Sequence, residues 1–376
     1  MLRRSLRLRP GPGERRAERA PARISQMENH TSSKSLAELG AQIDEWLRAQ
    51  NELVNADQYA GILRTLLKLA QDDAERGDLK ILSRAMQELR HAFRIFAPYR
   101  HIRKVSIFGS TRVQENDAYY DLARSVGREL ARAGFMVITG AGPGIMQAGH
   151  EGAGREQSFG VNIRLPSVQD ANRYIRNDPK LMNFHFFFTR KLMFVKEADA
   201  VMIFPGGFGT HDELLESITL AQTGKTHLVP IILMDAPGGT YWSRWQEFLR
   251  DDVMSRGYIS EREMTFFRTH TDAETAVKEI TKFYRNFHSY RFVKNELVMR
   301  LNDPPSPALI DRLNREFADI VTGDVRQANP LPDEANEADT LHLHRLVMQF
   351  NREDYARLRQ MIDVINDEES PAAMPR

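Results

Sequence analysis

The 376-residue chain contains no cysteine. That excludes disulfides, thiolate zinc sites, iron–sulfur clusters and a cysteine nucleophile, and it fits a reducing cytoplasm best. Long apolar runs are missing too. The richest, Ala200–Pro205 and Val229–Met234, have the length of buried strands, far short of the 18 or so residues a membrane span needs. With 41% hydrophobic and 27% charged residues, the composition is that of a soluble protein with a sizeable core. Net charge is also lacking, at +1. Eight arginines against two glutamates load the first 23 residues, which leaves the remainder at −5. An acidic body argues against nucleic-acid binding, which needs a basic face.

The arginine-rich leader through Arg23 has no apolar stretch of the secretory kind, and Pro10-Gly11-Pro12-Gly13 breaks any amphipathic transit helix. It reads as disordered over residues 1–30, with Met27 an alternative to Met1 as the start. From Ser35 to about Phe96 the spacing is helical. Leu36, Leu39, Ile43 and Trp46-Leu47, then Ile62, Leu66 and Leu69, then Leu82, Met86, Leu89 and Phe93 predict two or three helices with one apolar stripe each. Ser35 and Glu38 make a capping box at the first.

Between about 99 and 290 short apolar runs alternate with amphipathic segments: Val105–Phe108, Phe135–Thr139, Phe159–Leu165, Ala200–Phe204 and Val229–Met234. Leu122, Val126, Leu130 and Ala133 make a helix closed by Gly134, and another covers Ala273–Phe287 behind a Thr271/Glu274 capping box. The fold class is therefore α/β, a Rossmann-like, doubly wound parallel sheet. Helical segments are added at 31–98 and 291–376. In the second, Asn302–Pro307 and the polar Thr322–Asp339 read as connections. Leu343, Leu346-Val347, Phe350, Leu358, Met361-Ile362 and Ile365 read as a helical stripe.

Ligands of open α/β sheets bind beyond the carboxyl ends of the strands. Three loops there are unusual: Phe108-Gly109-Ser110-Thr111, Thr139–Met146 with Gly140, Gly142 and Gly144, and Pro205–Glu213 with Gly206, Gly207, Gly209 and Thr210. Glycine lets the backbone approach a ligand closely, and a helix N-terminus offers free N–H groups. Both glycine-rich loops therefore suit phosphate, the alternative being glycines that serve tight turns alone. The spacing is not G-x-G-x-x-G, no acid follows for a ribose, and no G-x-x-x-x-G-K-[ST] is present, so neither a dinucleotide nor a P-loop is indicated. Glu213 is either the N3 member of a capping box with Thr210 or a carboxylate beside a ribose. Arg190-Lys191 is either a solvated helix face or a pair of cations aimed at the site. His211 reads as exposed, and His342 and His344 lack partners at metal-ligand spacing, so no metal is expected.

Taken together, Pro205-Gly206-Gly207-x-Gly209-Thr210-x-x-Glu213, Arg190-Lys191-x-x-Met193 and Gly140-x-Gly142-x-Gly144-Ile145-Met146 closely resemble the Lonely-guy (LOG) family, often labelled lysine decarboxylase-like. The resemblance runs over roughly Val105 to Phe287. It implies hydrolysis of the N-glycosidic bond of nucleoside 5′-monophosphates, from cytokinin ribosides or ordinary nucleotides, to free base and ribose 5-phosphate. It also implies Arg190 and Glu213 as the catalytic pair, and Gly206, Gly207, Gly209 and Thr210 on the phosphate, helped by Gly109 and Ser110. Lys191 and Met193 would border the base, and Gly140, Gly142, Gly144 and Met146 complete the expected binding set. No cofactor is expected, since no lysine stands in an arrangement suited to a pyridoxal phosphate Schiff base. Neither a nucleic-acid nor a membrane partner is expected, and the family implies a homo-oligomer built from dimers. The competing function is a nucleotide-binding sensor without turnover.

Overall fold

A computed structural model describes residues 36–49, 54–165 and 170–368. The leader, Met27 and Ser35 lie outside the described residues. The chain divides into two units, up to Leu79 and from Lys80 onward. In the first, α1 (Leu36–Ala49) and α2 (Ala56–Gln71) pack together, with Arg64 paired to Asp44.

The second unit begins within α3 (Arg76–Phe96). The expected inward stripe of this helix is displaced by one residue. Ala85, Glu88, Ala92 and Phe96 are buried, whereas Leu82, Met86 and Phe93 are exposed. Each buried position precedes a member of the predicted stripe by one, except Phe96, so the helix is rotated by about 100° from the expectation. A carboxylate in the middle of the buried face conceals the true side in any hydropathy reading.

The sheet then follows: β1 (Lys104–Phe108), α4 (Ala118–Arg132), β2 (Met136–Thr139), α5 (Ile145–Ala153), β3 (Ser158–Ile163), β4 (Leu181–Phe184), α6 (Phe187–Glu197), β5 (Ala200–Ile203), α7 (Phe208–Gln222), β6 (Ile231–Met234), α8 (Tyr241–Phe248), β7 (Phe267–His270) and α9 (Ala273–Phe283). All seven strands are parallel, in the order β4-β3-β2-β1-β5-β6-β7. This is the doubly wound, Rossmann-like sheet the alternating pattern predicts. The strands β1, β2, β5 and β6 are buried along their whole length, as expected of a sheet covered on both faces. Gly134 closes α4 at φ +85°. The N-cap of α9 is Asp272, accepting from the Thr275 N–H, rather than the expected Thr271.

The C-terminal segment holds more than helices. Its two helices, α10 (Pro307–Glu316) and α11 (Tyr355–Asp367), accompany β8 (Phe287–Val293), β9 (Glu296–Leu301), β10 (Val321–Ala328) and β11 (His344–Phe350). These strands form an antiparallel sheet in the order β10-β11-β9-β8. The presumed connection at Thr322–Asp339 thus contains a strand, and the presumed terminal helical stripe is a strand followed by a helix. Asn302–Pro307 leads into α10, with Ser306 as its N-cap and Pro307 at N1. Asn366 fastens α11 to the main sheet unit by accepting from the N–H groups of Asn286 and Phe287 and donating to the Phe283 carbonyl. Among the described residues no helix is long and apolar enough to cross a membrane.

Candidate functional site

Strand order reverses between β1 and β5, so the loops leaving these two strands part toward opposite faces and leave a crevice. They start in register. The Phe204 N–H donates to the Phe108 carbonyl and the Ser110 N–H to the Pro205 carbonyl. Beyond them lies a cleft of about 670 Å³, within the size range of small-molecule sites. Gly109, Ser110, Met146, Arg190, Gly206, Gly207, Gly209, Thr210 and Glu213 all line it.

The floor is the N-terminus of α7, whose N-cap is Gly207 without a side-chain cap. The capping box expected from Thr210 and Glu213 is therefore absent: Thr210 is the third residue of the helix and Glu213 the sixth. Glu213 is not occupied in closing its helix. In the first turn the N–H groups of Phe208 and Gly209 have no intrahelical acceptor and carry the positive end of the helix dipole. A Cβ at Gly207 or Gly209 would meet no protein atom within 4 Å, so the space before the helix is open. At Gly206, by contrast, a Cβ would collide with the Thr210 side chain. The Tyr241 hydroxyl holds this loop by donating to the Gly206 carbonyl at 2.6 Å.

Arg190 sits in the first turn of α6. Its Nε donates to the Val161 carbonyl at 2.9 Å, and its guanidinium lies 5.0 Å from the Phe194 ring centroid. No carboxylate comes within ion-pair distance of it among the described residues. Burial pulls its pKa down, and Glu213 partly restores it. Glu213 is 8% exposed. Burial raises its carboxyl above the usual glutamate value, because the attraction of Lys191 and Arg190 only partly compensates and Glu216 and Asp212 add repulsion. A buried carboxylate and a buried guanidinium facing one cleft can stabilise opposite charges as they develop during a reaction.

The second glycine loop is placed differently from the expectation. It follows β2, one strand away from the crevice, and of its residues Met146 reaches the cleft lining while Gly140, Gly142 and Gly144 do not. The Ile145 N–H at the start of α5 is taken by the Ser110 carbonyl, and Gly144, at φ +68°, packs where any Cβ would strike that same carbonyl. Asn172 holds the loop from the other side, donating to the Gly142 carbonyl. Gly140 makes room for Arg190: a Cβ there would overlap Nη2 and stand 2.7 Å from Met146 Sδ. These glycines shape the site without lining it. Because both neighbours are ends of flexible side chains, Gly140→Ala should change the free energy of unfolding by no more than about 1 kcal/mol, measured by urea denaturation. It should nevertheless lower kcat/KM for any turnover in this cleft about 10- to 100-fold by shifting the guanidinium.

Lys191 and Met193 also lie outside the lining. The Lys191 ammonium contacts Asp212 at 3.0 Å, Glu213 at 3.5 Å and Glu216. Burial alone would lower its pKa, but these carboxylates more than offset that and raise it. Met193, one helical turn beyond Arg190, is fully buried in the core. Among the described residues no lysine lines the cleft. Conversely, Arg112, Phe187, Phe208, His211 and Asp212 line it without having been singled out as ligands. His211 is half-buried rather than exposed, with Nδ1 3.2 Å from the Gly207 carbonyl. Phe208 is 97% exposed. Its place between two glycines of the motif was the available signal.

A doubly wound α/β protein with an anion-receptive helix and an Arg/Glu pair at its switch point is the class defined so far. The family model described as "Possible lysine decarboxylase" matches residues 144–280. The cytokinin riboside 5′-monophosphate phosphoribohydrolase LOG3 of Arabidopsis thaliana is 28% identical over 186 residues, which cover 48% of this chain and 83% of that protein. The probable phosphoribohydrolase LOG6 of the same plant is 31% identical over 163 residues, 42% of this chain and 77% of its own. The chain belongs to the LOG family. Among solved structures, a molybdenum cofactor carrier protein from Chlamydomonas reinhardtii aligns over 48% of this chain and 97% of its own, at 14% identity and a TM-score of 0.33.

Proposed function

We propose that this protein is a hydrolase of the N-glycosidic bond of nucleoside 5′-monophosphates, releasing free base and ribose 5-phosphate. The observation that carries the proposal is the pairing, in one cleft, of the uncapped α7 N-terminus with Glu213 two turns into the same helix and Arg190 opposite. The 5′-phosphate rests on the N–H groups of α7 beside Thr210 and Ser110, with Gly207 and Gly209 leaving it room. As the bond from C1′ to the base nitrogen breaks, its electron pair leaves with the base and positive charge spreads over C1′ and the ring oxygen. The ionised Glu213 stabilises that charge and orients a water, whose oxygen bonds to C1′ while its proton leaves. Arg190 steadies the departing base or the ribose hydroxyls, and the base nitrogen takes up a proton.

Lys191 fixes Glu213 from outside the lining, and Phe208 and Phe187 offer apolar surface to the base. The base itself is a cytokinin or an AMP-like purine. We assign the enzyme to the cytoplasm as a homo-oligomer built from dimers. The exposed Phe187, Phe188 and Leu192 on α6 and Phe208 and Leu215 on α7 support such an assembly.

The test is base release, followed by chromatography, from AMP, GMP, IMP, CMP, UMP and isopentenyladenosine monophosphate beside the matching nucleosides. Monophosphates should be cleaved and nucleosides spared by at least about 100-fold, because the phosphate grip positions the sugar. Tight nucleotide binding without any base release would overturn the hydrolase in favour of a sensor.

A further inference from the structure

The helix that carries Arg190 is not capped by its own sequence. Its N-cap, Phe186, has no side chain able to accept a hydrogen bond. The residues at its entry are held instead from almost 100 residues upstream, on α3. Glu88 Oε1 accepts the His185 N–H at 2.8 Å, and Oε2 accepts the Thr189 hydroxyl at 2.7 Å. Arg84 and the His185 ring add contacts at 3.3 and 3.2 Å. Glu88 is 7% exposed and Thr189 fully buried, and Thr189 directly precedes Arg190.

A buried carboxylate is unfavourable unless it is hydrogen-bonded, and apart from Arg84 on its own helix its partners lie at the entry of α6. A negative charge there also complements the helix dipole. The sequence preceding the sheet therefore reaches the start of the Arg190 helix through Glu88, with Arg84 beside it on the His185 ring.

We propose that Glu88 is the positioning residue for Arg190, fixing the start of α6 so that the guanidinium stays on the Val161 carbonyl and faces the cleft, which makes α3 a working part of the active site. This rests on the assignment of Arg190 to base release. Without Glu88 the entry of α6 loses the bonds that hold His185 and Thr189, and Arg190, next to Thr189, loses its fixed origin.

The test combines kinetics with a crystal structure of the full chain. Glu88→Ala should lower kcat at least about tenfold with KM changed less than about threefold, since the lost interaction acts in the transition state. Thr189→Val, which removes the hydroxyl shared between Glu88 and the Phe186 carbonyl at nearly constant shape, should give a smaller loss of the same kind, and Glu88→Gln should recover part of it. In an Arg190→Lys background, Glu88→Ala should cost less than about twofold more, because the two residues act as one unit. A crystal structure of Glu88→Ala should show Arg190 displaced from Val161.

Unchanged kcat in Glu88→Ala, losses that multiply in the double variant, or a guanidinium still bound to Val161 would each overturn the proposal. Should Glu88→Ala fail to fold, Thr189→Val and Glu88→Gln carry the same comparison. If the wild type releases no base, the hydrolase reading fails. The position of Arg190 in the variant structure still decides for or against Glu88.

Discussion

Glu213→Gln should lower kcat for base release about 1,000-fold, the scale of losing one preorganised electrostatic partner of a transition state, while leaving the protein as stable at pH 7 or more so. The substitution keeps the shape and removes the charge. Lys191 keeps Asp212 and Glu216 as partners, so no ammonium is orphaned. Burial holds the Glu213 carboxyl above its ordinary value of 4.5. A group raised in the folded state favours folding fully below 4.5, and that contribution is lost as pH rises through the folded value. At neutral pH its ionisation therefore weighs against the fold, and glutamine lifts that weight.

The same shift fixes the pH profile. Wild-type kcat/KM should fall on acidification with a midpoint above 4.5, and the residual activity of Glu213→Gln should lack that limb. Melting temperatures and pH–rate profiles of both proteins check the pair of expectations. A variant that stays active and melts lower would make Glu213 a structural residue.

Glu334→Ala should destabilise the protein by about 3–5 kcal/mol, the cost of stranding buried charge. Glu334 and Arg345 are both fully buried, and Arg300 nearly so. One carboxylate oxygen accepts from Arg300 at 2.6 and 3.0 Å, and the other from Arg345 Nε at 3.2 Å and the Leu331 N–H at 3.1 Å. Burial by itself would raise the carboxyl, but the bonds from Arg300, Leu331 and Arg345 more than offset it and hold it below the usual value. Arg345 also donates to the carbonyls of Thr340, Leu341 and Leu343, so the cluster ties the 330–343 segment to the antiparallel sheet. Urea denaturation measures the loss, and a cost under about 1 kcal/mol would refute the assignment. Since the folded carboxyl is depressed, this stabilisation is present above 4.5 and fades as pH falls through the folded value.

The parallel sheet was legible because its central strands are buried on both faces and read as uninterrupted apolar runs. The edge strands β4 and β7 are four residues each with polar members, Leu-Met-Asn-Phe and Phe-Arg-Thr-His, and resemble loops. In the C-terminal sheet, β10 buries only Val321 and Val325 of its eight residues and carries a register shift between Thr322 and Arg326, so it shows no alternation of period two. Strand β11 hides a buried arginine. In the cleft, Arg190 and Glu213 were legible from their motif. The three glycines after β2 were not: a glycine that clears space for a side chain and one that clears space for a ligand are the same letter. Glu88 could not be found from sequence, because its partners are about 100 positions away.

Helix α7 begins at the Gly207 cap and reaches Glu213 six residues later, about 9 Å along a rigid axis at 1.5 Å per residue. In the proposed mechanism the helix is thus a ruler, with the phosphate at its zero mark and the anomeric carbon at Glu213. The span is set by backbone hydrogen bonds rather than by loop conformation. On that mechanism substrates would be graded by the length of their sugar phosphate, and residues around the base could change without altering that span.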